Sequence, residues 1–498
     1  MSNDAIVETR YGKVRGTNSG SVSCWKGIPY AQAPIGKLRF HPPQLPQPWS
    51  GTRDATVFGS IAPQNVVALS NLARTLDMGT GGTQEPISED CLYLNIWSPQ
   101  ADDQKRPVMV WIHGGAFTLG SGSQPDYNGA HFAQEGDLVV VTLNYRLGVL
   151  GFLHLAELGN EEYSSSGNAG LLDQIAALQW VRENIEAFGG DPDNITVFGE
   201  SAGAMSVGSL LVMPAARGLF QRAILQSGAA HSIQNKEAAS KLAREFLEIL
   251  DLRTDNLTAL TAIPLETLLD AQATLLLKNP LGGIRPVVDG KDIPELPIQA
   301  LTQGGAKEVA ILIGTNRDEI KLFTAGTSES SLDANVAQQM LGDKAIEIFT
   351  TYAANRPGAD MRAIGLDIST DYTFRIPAIR LAESQAQQGV NVWMYRFDWP
   401  SPNAIFGACH ALELPFVWNN LETTVFRGLT GANPPLELAR RMHGSWIAFA
   451  RTGNPNISDL PPWPTYDTDK RTTMLFNEEC SVFDDPQGAE RAAWEGLL

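Results

Sequence analysis

Long apolar runs are missing from this 498-residue chain. No window reaches the eighteen or so apolar residues that a membrane-spanning helix needs, so no span is expected. The opening residues, Met1 to Glu8, show no basic stretch followed by an apolar one, so no secretory signal is read and a cytoplasmic protein is expected. Cysteine is scarce: Cys24, Cys91, Cys409 and Cys480 are scattered, with no C-x-x-C spacing. That excludes a disulfide scaffold and a structural zinc site, and leaves four free thiols. Positive charge is in deficit, with 37 Lys and Arg against 55 Asp and Glu, a net charge of −18, and no basic run. Nucleic acid and anionic membrane surfaces are therefore not expected as partners. Repeats and low-complexity segments are absent too. What remains is 43% apolar and 18% charged, ordinary for a globular protein with a large core.

The length alone would allow about three domains. The order of segments argues for one. Ile6–Thr9 and Lys13–Gly16 flank Tyr11-Gly12 as a β-hairpin. The proline-rich stretch Trp25 to Arg53 reads as ordered coil, and Cys91–Trp97 reads as a strand. Short apolar runs then follow at Val108–Ile112, Leu138–Leu143, Ile195–Phe198, Ala223–Leu225, Val309–Ile313 and Val392–Phe397. They have the composition of parallel strands buried on both faces. Helical segments such as Leu171–Phe188 and Lys236–Leu250 lie between them, and strands alternating with helices make a doubly wound α/β sheet. About 328–388 and 436–450 read as helical additions to a single domain spanning 1–498.

In such sheets ligands bind beyond the carboxyl ends of the strands, so the residues after each strand carry the chemistry. After Ile195–Phe198 comes Gly199-Glu200-Ser201-Ala202-Gly203, followed by a helix-like run, Ala204 to Val212. This G-x-S-x-G between strand and helix is the pattern of a nucleophile elbow, in which a tight bend exposes the serine hydroxyl. After Val108–Ile112 comes His113-Gly114-Gly115-Ala116-Phe117, whose small residues leave backbone N–H groups open to an oxyanion. The residue after the serine, Ala202, supplies a further donor. After Val309–Ile313 stand Asp318 and Glu319, two candidates for an orienting acid, one of which is expected to be a solvated surface charge. After Val392–Phe397 a loop leads to His410, one of only seven histidines. Serine, acid and histidine in that order are the order of α/β-hydrolases. Cys409, next to His410, is a poor rival nucleophile because adjacent side chains diverge.

These residues, with Ser88–Asn95, Asn144-Tyr145-Arg146, Gly167-Asn168, Leu172-Asp173-Gln174, Gln226-Ser227-Gly228 and Trp446 to Pro455, resemble the type-B carboxylesterases. That family includes bacterial para-nitrobenzyl esterases, cholinesterases and the non-catalytic neuroligins. The resemblance implies an α/β-hydrolase fold, a central, mostly parallel, twisted sheet flanked by helices with large helical insertions. It implies Ser201 as nucleophile, His410 as base, and Glu319 rather than Asp318 as the acid. Gly115, Ala116 and Ala202 become the oxyanion donors, and Glu200 an acid that shapes the field of the site. Ion pairs Arg39–Glu89 and Arg146–Asp173 are implied as fold features, and Cys91 as a free buried thiol.

The function so implied is hydrolysis of neutral short- to medium-chain carboxylic esters through an acyl-enzyme. It requires no metal and no organic cofactor, and a monomer acting on a small-molecule ester is expected. The alternatives are a neuroligin-like binding protein of the same fold, or a lipase, thioesterase or carbamate hydrolase using the same triad. Cholinesterase activity is not expected, because Gly79 to Glu89 contains no aromatic residue to hold a quaternary ammonium. Leu281, Gly282 and Gly283 stand near where cholinesterases narrow the acyl pocket, which implies a wider pocket here.

Overall fold

The computed structural model describes residues 4–65, 85–158, 161–279, 283–325, 341–423 and 426–497. The apolar runs pair side by side because each has two faces to bury. In chain order the strands are β1 (Asp4–Thr9), β2 (Gly12–Asn18), β3 (Ser23–Pro29), β4 (Thr52–Asp54), β5 (Tyr93–Ser98), β6 (Arg106–Ile112), β7 (Val139–Leu143), β8 (Gly190–Glu200) and β9 (Arg222–Gln226). A short ribbon, β10 (Gln234–Asn235) with β11 (Val287–Val288), stands apart. Then come β12 (Ala310–Asn316), β13 (Val392–Phe397), β14 (Thr472–Phe476) and β15 (Ser481–Asp484). Among the described residues one sheet has thirteen strands, in the order β1-β2-β3-β5-β7-β6-β8-β9-β12-β13-β14-β15 with β4 on β2. The strands from β7 to β14 in that order run parallel, while the N-terminal edge and the last pair are antiparallel. Parallel strands share one carboxyl edge, so the residues after β6, β8, β12 and β13 emerge on the same side.

The helices that flank the sheet include α1 (Ala169–Asn184), α2 (Ala202–Leu210), α3 (Lys236–Ile249), α4 (Leu265–Lys278), α5 (Ala345–Asn355), α6 (Met361–Thr370), α7 (Ile376–Gln387) and α8 (Leu436–Thr452). Alternation along β6 sorts the core into two layers. Val108, Val110 and Ile112 face a cluster shared with Leu171, Ile175 and Leu178 of α1, whereas Met109 and Trp111 face one shared with Leu438, Met442 and Trp446 of α8. Each such fully buried side chain contributes roughly 1.5–3 kcal/mol relative to exposure, which is why both faces must be covered. A π-helical turn, Asp371–Arg375, joins α6 to α7 without a break. Residues 326–340, which include the start of the expected 328–388 helical region, lie outside the described residues.

One expectation needs correcting. Trp25–Pro29 is not coil: it belongs to β3, where it pairs antiparallel with β5 around an irregularity between Trp25 and Ile28, and buries Trp25 and Ile28 completely. Long-range pairing overrode the local glycine and proline signals. The C-terminal β14–β15 hairpin was not anticipated from the sequence; β14 extends the parallel sheet beyond β13. All four cysteines are free, with Cys91 and Cys409 buried. No described helix is long and apolar enough to cross a membrane.

Candidate active site

Ser201 sits between β8 and α2 with φ 52° and ψ −123°, a backbone region that non-glycine residues rarely occupy. The surroundings hold it there. Its N–H donates to the Gln226 carbonyl (2.9 Å), and the glycines on either side permit the bend. A Cβ on Gly199 would lie 2.6 Å from the carbonyl carbon of Gly203, and one on Gly203 would lie 2.0 Å from the Ile112 carbonyl oxygen. Ser201 is half-buried.

After β6, the chain turns through three consecutive residues of positive φ, Gly115 (109°), Ala116 (54°) and Phe117 (60°). The turn is fixed from outside. Tyr145 Oη donates to the His113 carbonyl (2.9 Å), the Gly148 N–H donates to the Phe117 carbonyl (2.7 Å), and the Thr118 and Leu119 N–H groups close on the Gly115 carbonyl. Gly114 lies beside the nucleophile: a Cβ there would be 3.2 Å from Ser201 Cβ and 2.8 Å from Glu200 Oε2. The first N–H groups of a helix have no intrahelical acceptor, and that of Ala202, the first residue of α2, is one of them.

Glu319 follows β12 and is fully buried. Its Oε1 accepts the Asn316 N–H (2.7 Å), and its Oε2 lies 2.6 Å from His410 Nδ1. Asp318 points elsewhere. It is buried rather than solvated, pairs with Arg317 (3.0 Å) and Lys321 (2.9 Å), and accepts the Ala408 N–H (2.8 Å), pinning the loop that carries His410. The expected surface charge is thus a structural ion pair. Neither acid is free, because the turn after β12 sends their side chains to opposite tasks.

The structure brings Glu319 and His410 together. Among the described residues, no hydrogen bond joins the Ser201 hydroxyl to His410; His410 Nε2 faces Glu200 Oε1 at 2.9 Å. The imidazole is therefore held between two carboxylates. Burial alone would lower its pKa, but Glu200 and Glu319 outweigh it and raise His410 well above 6.5. Phe374 of the π-helical turn and Phe323 flank the ring, with centroids at 4.8 and 5.1 Å.

Sequence reasoning assigned no role to Glu413, which completes a cluster of three buried carboxylates. It accepts from Gln226 Nε2 (3.0 Å) and Asn316 Nδ2 (2.6 Å), and Trp446 Nε1 in turn donates to Gln226 Oε1 (3.0 Å). Burial, then the charges of Glu200 and Glu319, push its carboxyl up to about 8, so it holds a proton at neutral pH. A signal was present: Glu413 is the only charged residue in the apolar run Ala411–Val417. Cys409 is fully buried, and burial raises its thiol pKa, which leaves it unreactive. Among the described residues no group of histidines, cysteines and acids has the geometry of a metal site. Of the pocket residues anticipated from the sequence, 79–84, Leu281 and Gly282 lie outside the described residues.

A half-buried serine on a strained elbow, open backbone donors, and a carboxylate-held imidazole form an arrangement able to carry out acyl transfer. The comparisons agree with this chemistry. Residues 3–494 match the model of the carboxylesterase family. The para-nitrobenzyl esterase of Bacillus subtilis is 44% identical over 497 residues, covering 98% of this chain and 97% of that protein. The phenmedipham hydrolase of Pseudarthrobacter oxydans is 35% identical over 500 residues, covering 95% of each. A crystal structure of a carboxylesterase from Geobacillus stearothermophilus superposes with a TM-score of 0.90 at 46% identity, covering 98% of this chain and all of that one. With its fold and nearly its whole length shared with these proteins, the chain belongs to the carboxylesterase family.

Proposed function

We propose that this carboxylesterase hydrolyses neutral short- to medium-chain esters, p-nitrobenzyl and p-nitrophenyl esters among them, with Ser201, His410 and Glu319 as its triad. The observation that carries the reading is the Glu319–His410 contact of 2.6 Å beside the strained serine elbow. His410 pivots on that contact, so that Nε2 leaves Glu200 and takes the proton of Ser201 as the hydroxyl attacks the ester carbonyl. The Gly115, Ala116 and Ala202 N–H groups receive the oxyanion, where one donor typically contributes about 3 kcal/mol. His410 then protonates the leaving alcohol, and water, activated by the same imidazole, releases the acid from Ser201. Glu319 holds the tautomer with Nδ1–H and stabilises the imidazolium.

The same reading takes residues 1–498 as one catalytic unit, a cytoplasmic monomer that uses neither metal nor organic cofactor and acts on small molecules rather than nucleic acid. Its support is the single sheet that gathers every site residue along one edge, together with the net charge of −18. Turnover of p-nitrophenyl butyrate and a p-nitrobenzyl ester, with Ser201→Ala as blank, tests it. An inert wild type would favour a binding protein of the same fold.

A further inference from the structure

Arg285 differs from the other buried and half-buried arginines: Arg222 and Arg441 also lack a carboxylate but donate to Asn194 Oδ1 and to the Glu478 carbonyl, whereas among the described residues Arg285 makes neither kind of contact. Arg39, Arg106, Arg146 and Arg375 each meet a carboxylate at 2.5–2.7 Å. Arg285 is half-buried and dehydrated enough to lower its pKa, yet among the described residues no carboxylate pairs with it, in a chain carrying 55 acids. A partly buried charge without a partner is costly, and a carboxylate brought to it by a ligand would offset that cost.

The position of Arg285 indicates what that is. The residue lies just before β11, in a segment tied to β10 by Gln234, whose N–H donates to the Pro286 carbonyl (2.9 Å) and whose Nε2 donates to the Gly283 carbonyl (2.8 Å). The chain reaching β10 starts at the nucleophile: a Cβ on Gly228 would lie 2.6 Å from the Ser201 carbonyl oxygen. His231, in that connection, lies against the main-chain carbonyl of Thr373 and near Arg285. Tyr372 is the other group whose field reaches Arg285. Phe374, one residue beyond Thr373, packs on His410 at 4.8 Å. Arg285 is therefore tied through β10 to the segment that leaves the nucleophile, and its charge is felt at His231, beside the π-helical turn that walls His410. Dehydration and the Arg285 charge keep His231 neutral, its pKa lowered to about 4, so it provides no counter-charge and no second cation.

We propose that Arg285 is a specificity residue of the ester site, binding the free carboxylate of substrates that are an ester at one end and an acid at the other. This rests on the ester-hydrolase reading. A guanidinium presents two parallel N–H donors that match a carboxylate, a pairing that amide and alkyl groups do not reproduce. The net charge of −18 repels such anions from a distance, but that field is screened within about 8 Å at physiological salt, whereas the pairing acts at contact.

The test compares matched esters at physiological salt by pH-stat. Ethyl hydrogen adipate against ethyl adipamate places the acid in the acyl group; 4-carboxybenzyl butyrate against 4-carbamoylbenzyl butyrate places it in the leaving alcohol. The wild type is expected to prefer the carboxylate in one pair, and that pair identifies the side on which the acid sits. Arg285→Gln should lower the carboxylate-to-carboxamide ratio of kcat/KM by about tenfold or more, and Arg285→Lys should keep part of the preference. A wild-type ratio near one in both pairs, or a preference that Arg285→Gln leaves unmoved, overturns the proposal. If Arg285→Gln does not fold, competitive inhibition of the wild type by adipate but not adipamide decides it in the same way. A wild type inert on all four esters would count against ester hydrolysis itself.

Discussion

Two buried charge clusters lie within one fold and obey opposite rules. In the first, Arg146 and Asp173 are both fully buried, and the guanidinium meets the carboxylate twice at 2.7 Å while Asp173 also accepts the Arg146 N–H and Arg146 Nη1 donates to the His41 carbonyl. Charge cancels and the hydrogen-bonding groups are engaged. In the second, Glu200 and Glu319 hold one imidazole between them and Glu413 lies within reach of both charges, so acids outnumber bases three to one. The imbalance appears as shifted protonation: His410 holds its proton more tightly, and Glu413 keeps one that a free carboxyl would lose. Complete compensation makes structure, and incomplete compensation leaves groups poised to move protons.

The comparison breaks most sharply at the triad. Ser201→Ala and His410→Ala should each lower kcat by about 10⁴-fold or more with little change in thermal midpoint, since triad members act as a unit. Glu319→Gln should cost on the order of 10⁴-fold, as expected for loss of the orienting acid. Asp318→Asn should instead lower stability while leaving most of the activity; if Asp318→Asn is the inactive variant, the acid has been misassigned.

The paired cluster should respond the other way. Asp173→Ala leaves Arg146 buried without a counter-charge and is expected to cost about 3–5 kcal/mol in urea unfolding. The kcat of whatever folded enzyme remains should be close to wild type. A variant as stable as wild type would show that the pair is not what holds this part of the fold.

Glu200 sharpens the electrostatic side. Because His410, the proposed base, can act only when neutral, kcat/KM should fall as pH drops through its raised pKa. Removing one carboxylate in Glu200→Gln lowers that pKa, so the acid limb of the profile should move to lower pH. An unmoved limb would mean that Glu200 does not act on the imidazole.

The smallest effect on turnover is expected at Glu413, whose signature lies in stability. Its folded pKa of about 8 is above that of an unfolded glutamate, so the folded state binds the extra proton and stability falls as pH rises from about 4.5 to 8. Glu413→Gln should flatten the pH dependence of the urea midpoint across that window. An unchanged slope would place the stored proton elsewhere.

Much of this was legible in the primary structure because the signals are local. Apolar runs of three to six residues located most of the parallel strands, and Gly199 and Gly203 marked the elbow by leaving room that any Cβ would fill. Other features depended on which distant segments meet. Trp25–Pro29 became strand only because β5 was available to pair with it, and β14 only because β13 was. Neighbours as close as Asp318 and Glu319 were separated by the direction of one turn, a choice that residue type does not encode. Residue type and order are enough to specify the sheet class, the elbow, and the succession of serine, acid and histidine. Folding settles that His410 faces Glu200, that Glu413 keeps a proton, and that Arg285 has no acid beside it among the described residues. Protonation and pairing depend on distances of a few ångströms between residues far apart in the chain, and those distances exist only after folding.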